Sequence, residues 1–176
     1  MRPGPGEVLH FSEDPTITVF TPHVAATARQ PDALVWAVDA PRSPDYWFPR
    51  RCPRAMAWRE PQTTAADADR ILGAADRVHA VEYTWLPRLQ SVRLYAYRLP
   101  AAPFAPIGDP VPHAHAARVP VRPLGPPEPV GDLLELHRAA GIELRLLDNV
   151  WPFWDRVTAS TVGFSGIRLA NAAPRP

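Results

Sequence analysis

Proline decides what this chain can fold into: it supplies 24 of 176 residues. Each proline fixes φ near about −65° and removes a backbone donor, which bars it from helix interiors and central strands. Long helices are therefore disfavoured, and short strands joined by stiff loops are expected. The length suits about one domain with a real core. Apolar residues make up 46% and charged residues 21%, an ordinary balance for a globular protein.

The pattern along the chain predicts an α+β fold in a single domain. Its sheet is mostly antiparallel or split, built of short strands, with about three short helices. Residues 1–7 read as a disordered leader, 8–172 as the domain and 173–176 as a tail. Strands are expected over Val8–Phe11, Leu34–Val38, Arg54–Arg59, Ala117–Val121, Ile142–Leu147 and Phe164–Leu169. Two more, Asp76–Leu86 and Val92–Leu99, would form a hairpin through Pro87–Ser91. Helices are expected over Thr63–Leu72, Asp132–Ala140 and Pro152–Ala159. Thr64 and Asp67 resemble a capping box, and Gly73 and Gly141 stand where helices end. Ser43-Pro44-Asp45-Tyr46 reads as one helical turn with Ser43 as its N-cap. Thr21–Asp32 and most of Pro100–Pro129 read as loops.

Several classes of chemistry are excluded outright. The formal net charge is +1, which gives no electrostatic footprint for nucleic acid. Every basic side chain is arginine, so neither a phosphate-loop lysine nor a lysine Schiff base exists. Cys52 is the one cysteine, which rules out an internal disulfide and a cysteine-built zinc or iron–sulfur site. No apolar run approaches a membrane span, and the start has no signal-peptide core. A cytoplasmic location fits, with no membrane partner. No Gly-x-Ser-x-Gly elbow or Gly-x-Gly-x-x-Gly loop occurs.

Four constellations remain. His10-Phe11-Ser12-Glu13-Asp14 stands at a strand end, where an imidazole can serve as acid, base or donor; a satisfied turn explains the same residues. Asp39 precedes Tyr46-Trp47-Phe48-Pro49-Arg50, aromatics and arginine suited to stacking on a base and holding phosphate; a buried aromatic anchor is the plain alternative. Glu143 and Arg145 share one face of an apolar strand, facing either a cavity or each other as an ion pair. His113 and His115 have the spacing of metal ligands, with His10, His23 or His79 as a third, yet no acid lies nearby, and no metal is assigned. Cys52 lies among Arg50, Arg51 and Arg54, which would lower a thiol pKa; burial as a small hydrophobe is the competing expectation.

Leu9-His10-Phe11-Ser12-Glu13-Asp14-Pro15, with Val35–Asp39, Tyr46–Arg50, Cys52-Pro53-Arg54, Leu94–Tyr97, Gly141–Arg145, Trp151-Pro152 and Phe164–Arg168, resembles a small family of uncharacterised bacterial proteins. The similarity spans nearly the whole chain and brings no activity with it. A second, fold-level likeness is to the ADP-ribosyltransferase-like superfamily, which binds NAD in a split sheet. That resemblance implies NAD as ligand, His10 on the ribose, Tyr46 on the nicotinamide and Glu143 as the late-strand acid, a role for which Glu82 competes.

These readings converge on one pocket around His10. Its catalytic residues would be His10 and Glu143. Ser12, Asp39, Tyr46, Trp47, Arg50 and Arg145 would hold a small-molecule ligand. A transferase or hydrolase acting on NAD or a related nucleotide is one expectation. A non-catalytic module for a small ligand or peptide is the second. A structural partner using the six tryptophans as an interface is the third.

Overall fold

The computed structural model describes residues 1–24, 32–108 and 112–176. The loop expected over Thr21–Asp32 lies largely outside these residues. The chain divides into two compact units, each built from two stretches: 1–47 with 93–131, and 48–92 with 132–176.

The first unit holds β1 (Glu7–Ser12), β2 (Val35–Ala37), β5 (Tyr95–Pro100), β6 (Ala105–Ile107), β7 (Ala114–Ala117) and β8 (Glu128–Pro129). Two antiparallel sheets run β1-β5-β8 and β2-β7-β6. A single antiparallel pair, Leu9 with Val38, joins β1 to the end of β2, each amide donating to the other's carbonyl at 2.8 Å. Side chains alternate across a strand, so the paired registers define one continuous face. It carries Val8, His10 and Ser12; Tyr95, Tyr97 and Leu99; Val35 and Ala37; and His115 and Ala117. Most of its apolar members form the core with Phe20 and Val121. On the opposite face Arg98 ties three strands together, donating to Glu7 Oε2 at 2.8 Å and Glu128 Oε1 at 2.6 Å. Glu7, expected as leader, thus begins a strand.

The second unit is a four-stranded sheet of β3 (Arg54–Trp58), β4 (Arg77–Glu82), β9 (Glu143–Leu147) and β10 (Gly163–Ile167), in the order β10-β3-β4-β9. Only β4 and β9 are parallel, and parallel neighbours need a long connection. The helices are α1 (Ala65–Asp67), continued by a wider turn over Ala68–Leu72, α2 (Leu86–Ser91), α3 (Leu133–Ala139) and α4 (Trp151–Thr158). Ala55, Ala57, Val78 and Ala80 pack one sheet face on Ile71, Leu72, Phe153 and Val157. Small residues on the strands let these helices approach closely.

The expected hairpin between Asp76–Leu86 and Val92–Leu99 does not form. Residues 86–91 are a helix instead, with Pro87 in its first turn, where its fixed φ is pre-organised. β4 pairs with β3 and β9, and β5 pairs with β1 and β8 in the other unit. Of the strand expected over Ala117–Val121 only Ala117 lies in a strand, the end of β7, and Val121 makes an isolated bridge to Phe20. The Thr64 hydroxyl accepts the Asp67 amide as its spacing suggested, while Asp132, expected inside its helix, is instead the N-cap and accepts from Leu134 and Glu135. Among the described residues no helix is long and apolar enough to cross a membrane.

Candidate active site

The strongest candidate lies on the core face of the first unit, where β1 meets β2. After the Leu9–Val38 pair the next ladder position would offer the Trp36 carbonyl to the Phe11 amide. That carbonyl instead meets Nδ1 of His10 at 2.7 Å. A carbonyl only accepts, so Nδ1 carries the proton and the basic nitrogen of the ring is Nε2. The ring lies against Phe20, centroids 4.5 Å apart, and Phe20 meets Tyr97 edge-on. The Tyr97 hydroxyl donates to the Asp14 carbonyl at 2.7 Å and accepts the Ile17 amide at 3.1 Å. Burial raises the Tyr97 pKa, so this phenol stays protonated and ties the segment after β1 to the sheet.

The register places His10 opposite Ala37, and Ala37 opposite His115. Two imidazoles thus flank one methyl group on the same face, two strand spacings or about 10 Å apart along the row. Asp39 follows directly. Its Oδ1 accepts the Arg42 amide at 3.1 Å, and its Oδ2 lies 3.4 Å from Nε2 of His115. Its carbonyl accepts both the amide and hydroxyl of Ser43. The turn over Ser43–Tyr46 therefore starts one residue earlier than the sequence suggested. Arg42 is the N-cap, Ser43 sits inside the turn, and the fixing groups belong to Asp39. Arg42 reaches the Pro112 carbonyl at 3.4 Å and Asp45 at 3.9 Å. Burial, then Arg42, pushes the His113 pKa down.

The remaining predicted residues fall as follows. Ser12 is buried, and its hydroxyl accepts the Asp14 amide at 3.1 Å, which is turn chemistry. Tyr46 is half-buried and Trp47 buried in the first unit; Arg50 is exposed in the second. Glu143 is exposed on β9, an outer strand of its sheet, and bonds Arg145 at 2.6 Å. Arg145 also donates to the Ile71 and Leu72 carbonyls at 2.6 and 3.0 Å, closing the end of the helical segment that precedes Gly73. Glu82, the competing acid, is buried and accepts the Val150 and Ala173 amides at 3.1–3.3 Å, so it anchors the C-terminal residues. Cys52 is fully buried, and that burial pushes its thiol up to about 12. This is opposite to the lowering its arginine neighbours suggested, because lost hydration outweighs Arg54.

A model for a family of unknown function (DUF6886) matches residues 9–172. The chain belongs to that family. Neither the curated proteins nor the solved structures provide a match. The matched stretch includes both imidazoles of the row, Asp39, and the buried acid Glu82.

Sequence reasoning missed two groups. One is the Asp39–His115 pair, whose members are 76 positions apart. The other is a wholly buried histidine pair in the second unit, His79 and His137. Only the apolar surroundings of His79 on β4, and the place of His137 on the inward face of α3, signalled the latter. Among the described residues no group of three His, Cys, Asp or Glu side chains is placed to hold a metal.

Proposed function

We propose that the first unit binds NAD or a related nucleotide at the His10 end of its core face and cleaves or transfers from it. The observation that carries this reading is the 2.7 Å bond from His10 Nδ1 to the Trp36 carbonyl. It replaces a sheet hydrogen bond with one to a side chain. Its effect is to fix the ring's tautomer and orientation, which a binding or acid–base histidine requires. The half-buried Tyr46 and buried Trp47 follow Asp39 in the same unit and offer aromatic surface for a base. The superfamily resemblance supplies the nucleotide. Ser12 supports the turn behind His10.

A second reading, a non-catalytic module for a small ligand or peptide, is favoured by one observation. The acid that the resemblance would make catalytic, Glu143, bonds to Arg145. Titration with millimolar NAD, followed through the imidazole signals of His10 by NMR, tests binding. Chromatography of the nucleotide tests turnover. Shifts at His10 with nucleotide consumed support the first reading, and shifts with intact nucleotide support the second. No shift at His10 rejects both for NAD. Glu143→Gln then decides that residue's part: unchanged turnover removes it.

A further inference from the structure

We propose that two copies of this chain join along β10, antiparallel about Ser165, so that their two β10-β3-β4-β9 sheets become one across a two-fold axis. Among the described residues β10 is an outer strand with β3 as its neighbour. The Arg59 amide donates to the Asp76 carbonyl at 2.9 Å, continuing the register of β3 on β4. Hydrogen-bonded pairs alternate along an antiparallel ladder. Ala55 and Ala57 therefore bond to β4, and Arg54, Met56 and Trp58 bond to Ile167, Ser165 and Gly163. The amides and carbonyls of Phe164 and Gly166 are left pointing away from the sheet, and among the described residues no hydrogen bond reaches them. The other outer strands are blunted by proline, charge or a covering strand. β6 carries Pro106, β8 carries Pro129, and β9 carries Glu143 and Arg145; β1 is met at Leu9 by Val38. β10, Gly163-Phe164-Ser165-Gly166-Ile167, has neither proline nor charge.

The occupant is a second copy because the strand is complementary to itself. With Ser165 on the two-fold, Phe164 faces Gly166 of the second copy and Ile167 faces its Gly163. Each bulky side chain thus lies against a glycine and fills the gap that glycine leaves in a ladder. The outward groups agree with this register: Phe164 and Gly166 form the hydrogen-bonded pairs, and Ser165 meets its own copy in the closer, non-bonded pair between them. Gly166 has no room for a side chain of its own, since a Cβ there would lie 2.8 Å from the Trp154 ring and 2.7 Å from Leu169. Trp154 stands edge-on to Phe164 of its own chain, centroids 5.6 Å apart, and Phe164 is 42% exposed. In the dimer the second copy's Phe164 reaches Trp154 across Gly166. Charge sets the same orientation. Glu60 packs against Gly163 at one end of β10, and Arg168 follows Ile167 at the other. Antiparallel pairing brings each acidic end to the other copy's basic end. One such edge per chain closes the assembly at two. So short a ladder makes an interface well under about 1,600 Å², and association is weak and reversible. The dimer does not depend on the nucleotide reading.

Sedimentation equilibrium of the full chain from 10 to 500 μM should show a monomer exchanging with a dimer that predominates at the top of the range. Phe164→Lys should weaken association at least 20-fold and leave the melting temperature within 3 °C, because the side chain it replaces is exposed. Ser165→Cys gives a readout that does not rest on Phe164. The Cα atoms of a non-bonded antiparallel pair stand about 4.5 Å apart, within reach of a disulfide. Copper-catalysed oxidation at 200 μM should link most chains through residue 165, whereas Ser91→Cys on α2 should link less than a tenth as many; Cys52 is buried and takes no part. A wild-type chain that stays monomeric at 500 μM overturns the dimer, and a different protein on this edge would give that result. A dimer that keeps its affinity in Phe164→Lys and leaves Ser165→Cys unlinked uses another surface, and overturns it as well.

Discussion

Nδ1 of His79 stands 3.0 Å from Nε2 of His137, and neither residue exposes more than 1% of its surface. The ends of this pair decide its protons. Arg77 Nε donates to His79 Nε2 at 3.0 Å, and His137 Nδ1 meets the Leu133 carbonyl at 2.7 Å. Arginine only donates and a carbonyl only accepts. The chain therefore runs one way: Arg77 to His79, His79 Nδ1–H to His137 Nε2, His137 Nδ1–H to Leu133. Both rings are neutral in it. Phe48 packs on both rings, and Arg54 lies over Phe48.

Acid should therefore unfold the second unit. Burial, then His79, Arg77 and Arg54, holds the His137 pKa down to about 4, against 6.5 for an ordinary histidine. The unfolded chain takes the proton more readily, so stability is intact above pH 6.5 and falls between 6.5 and 4. The full loss is about 3 kcal/mol. Urea unfolding at pH 7 and pH 4.5 measures it. His137→Gln should be less stable at neutral pH but show a smaller acid loss; an equal loss in both chains would reject the mechanism.

Cys52 should be inert in the folded protein. A thiol held near 12 carries almost no thiolate at pH 8, and no sulfur surface is exposed. Labelling with iodoacetamide at pH 8 should be at least 100-fold slower than in urea. Rapid native labelling would contradict the buried placement.

Removing the Glu82 carboxylate should free the chain end. Both its oxygens accept the Ala173 amide, and one also accepts Val150 at the start of α4. Orphaning buried donors costs about 2 kcal/mol, so Glu82→Ala should lose that much and accelerate hydrogen exchange at Val150 and Ala173 together. Exchange unchanged at Ala173 would count against the anchor.

On β9 the two members of one ion pair should differ sharply. Arg145→Met leaves the Ile71 and Leu72 carbonyls without their guanidinium and should cost about 2 kcal/mol. Glu143→Gln removes only a surface partner and should cost at most about 0.5 kcal/mol. Thermal melts of the two variants compare them directly; equal losses would mean the carbonyl contacts contribute nothing.

Legibility in the sequence followed the range of the forces involved. Capping by Thr64 and the apolar strands at Val35 and Ala55 are set by neighbours, and they are found where the pattern put them; the turn at Pro44 also forms, one residue early and capped by Arg42 rather than Ser43. Pairing is not local. Nothing in Val92–Leu99 says that its partner is residues 7–12 rather than 77–82, and the local turn signal at Pro87 pointed the wrong way. The candidate site splits along the same line. His10 and Asp39 stand out as polar groups at strand ends, whereas His115 gains its meaning only once β7 is registered against β2. The buried histidine pair is the extreme case, since each ring sits in a segment that reads as ordinary core.

The order in which the chain visits its two units bears on how it is made. Residues 1–47 must wait for 93–131, and 48–92 for 132–176, so β1 emerges from the ribosome long before β5 exists to pair with it. No single cut yields either half intact, and neither can be expressed by truncation alone. A nascent chain of this kind carries both units unfinished until its last third is synthesised, and during that interval its unpaired strands depend on chaperones or speed to escape aggregation.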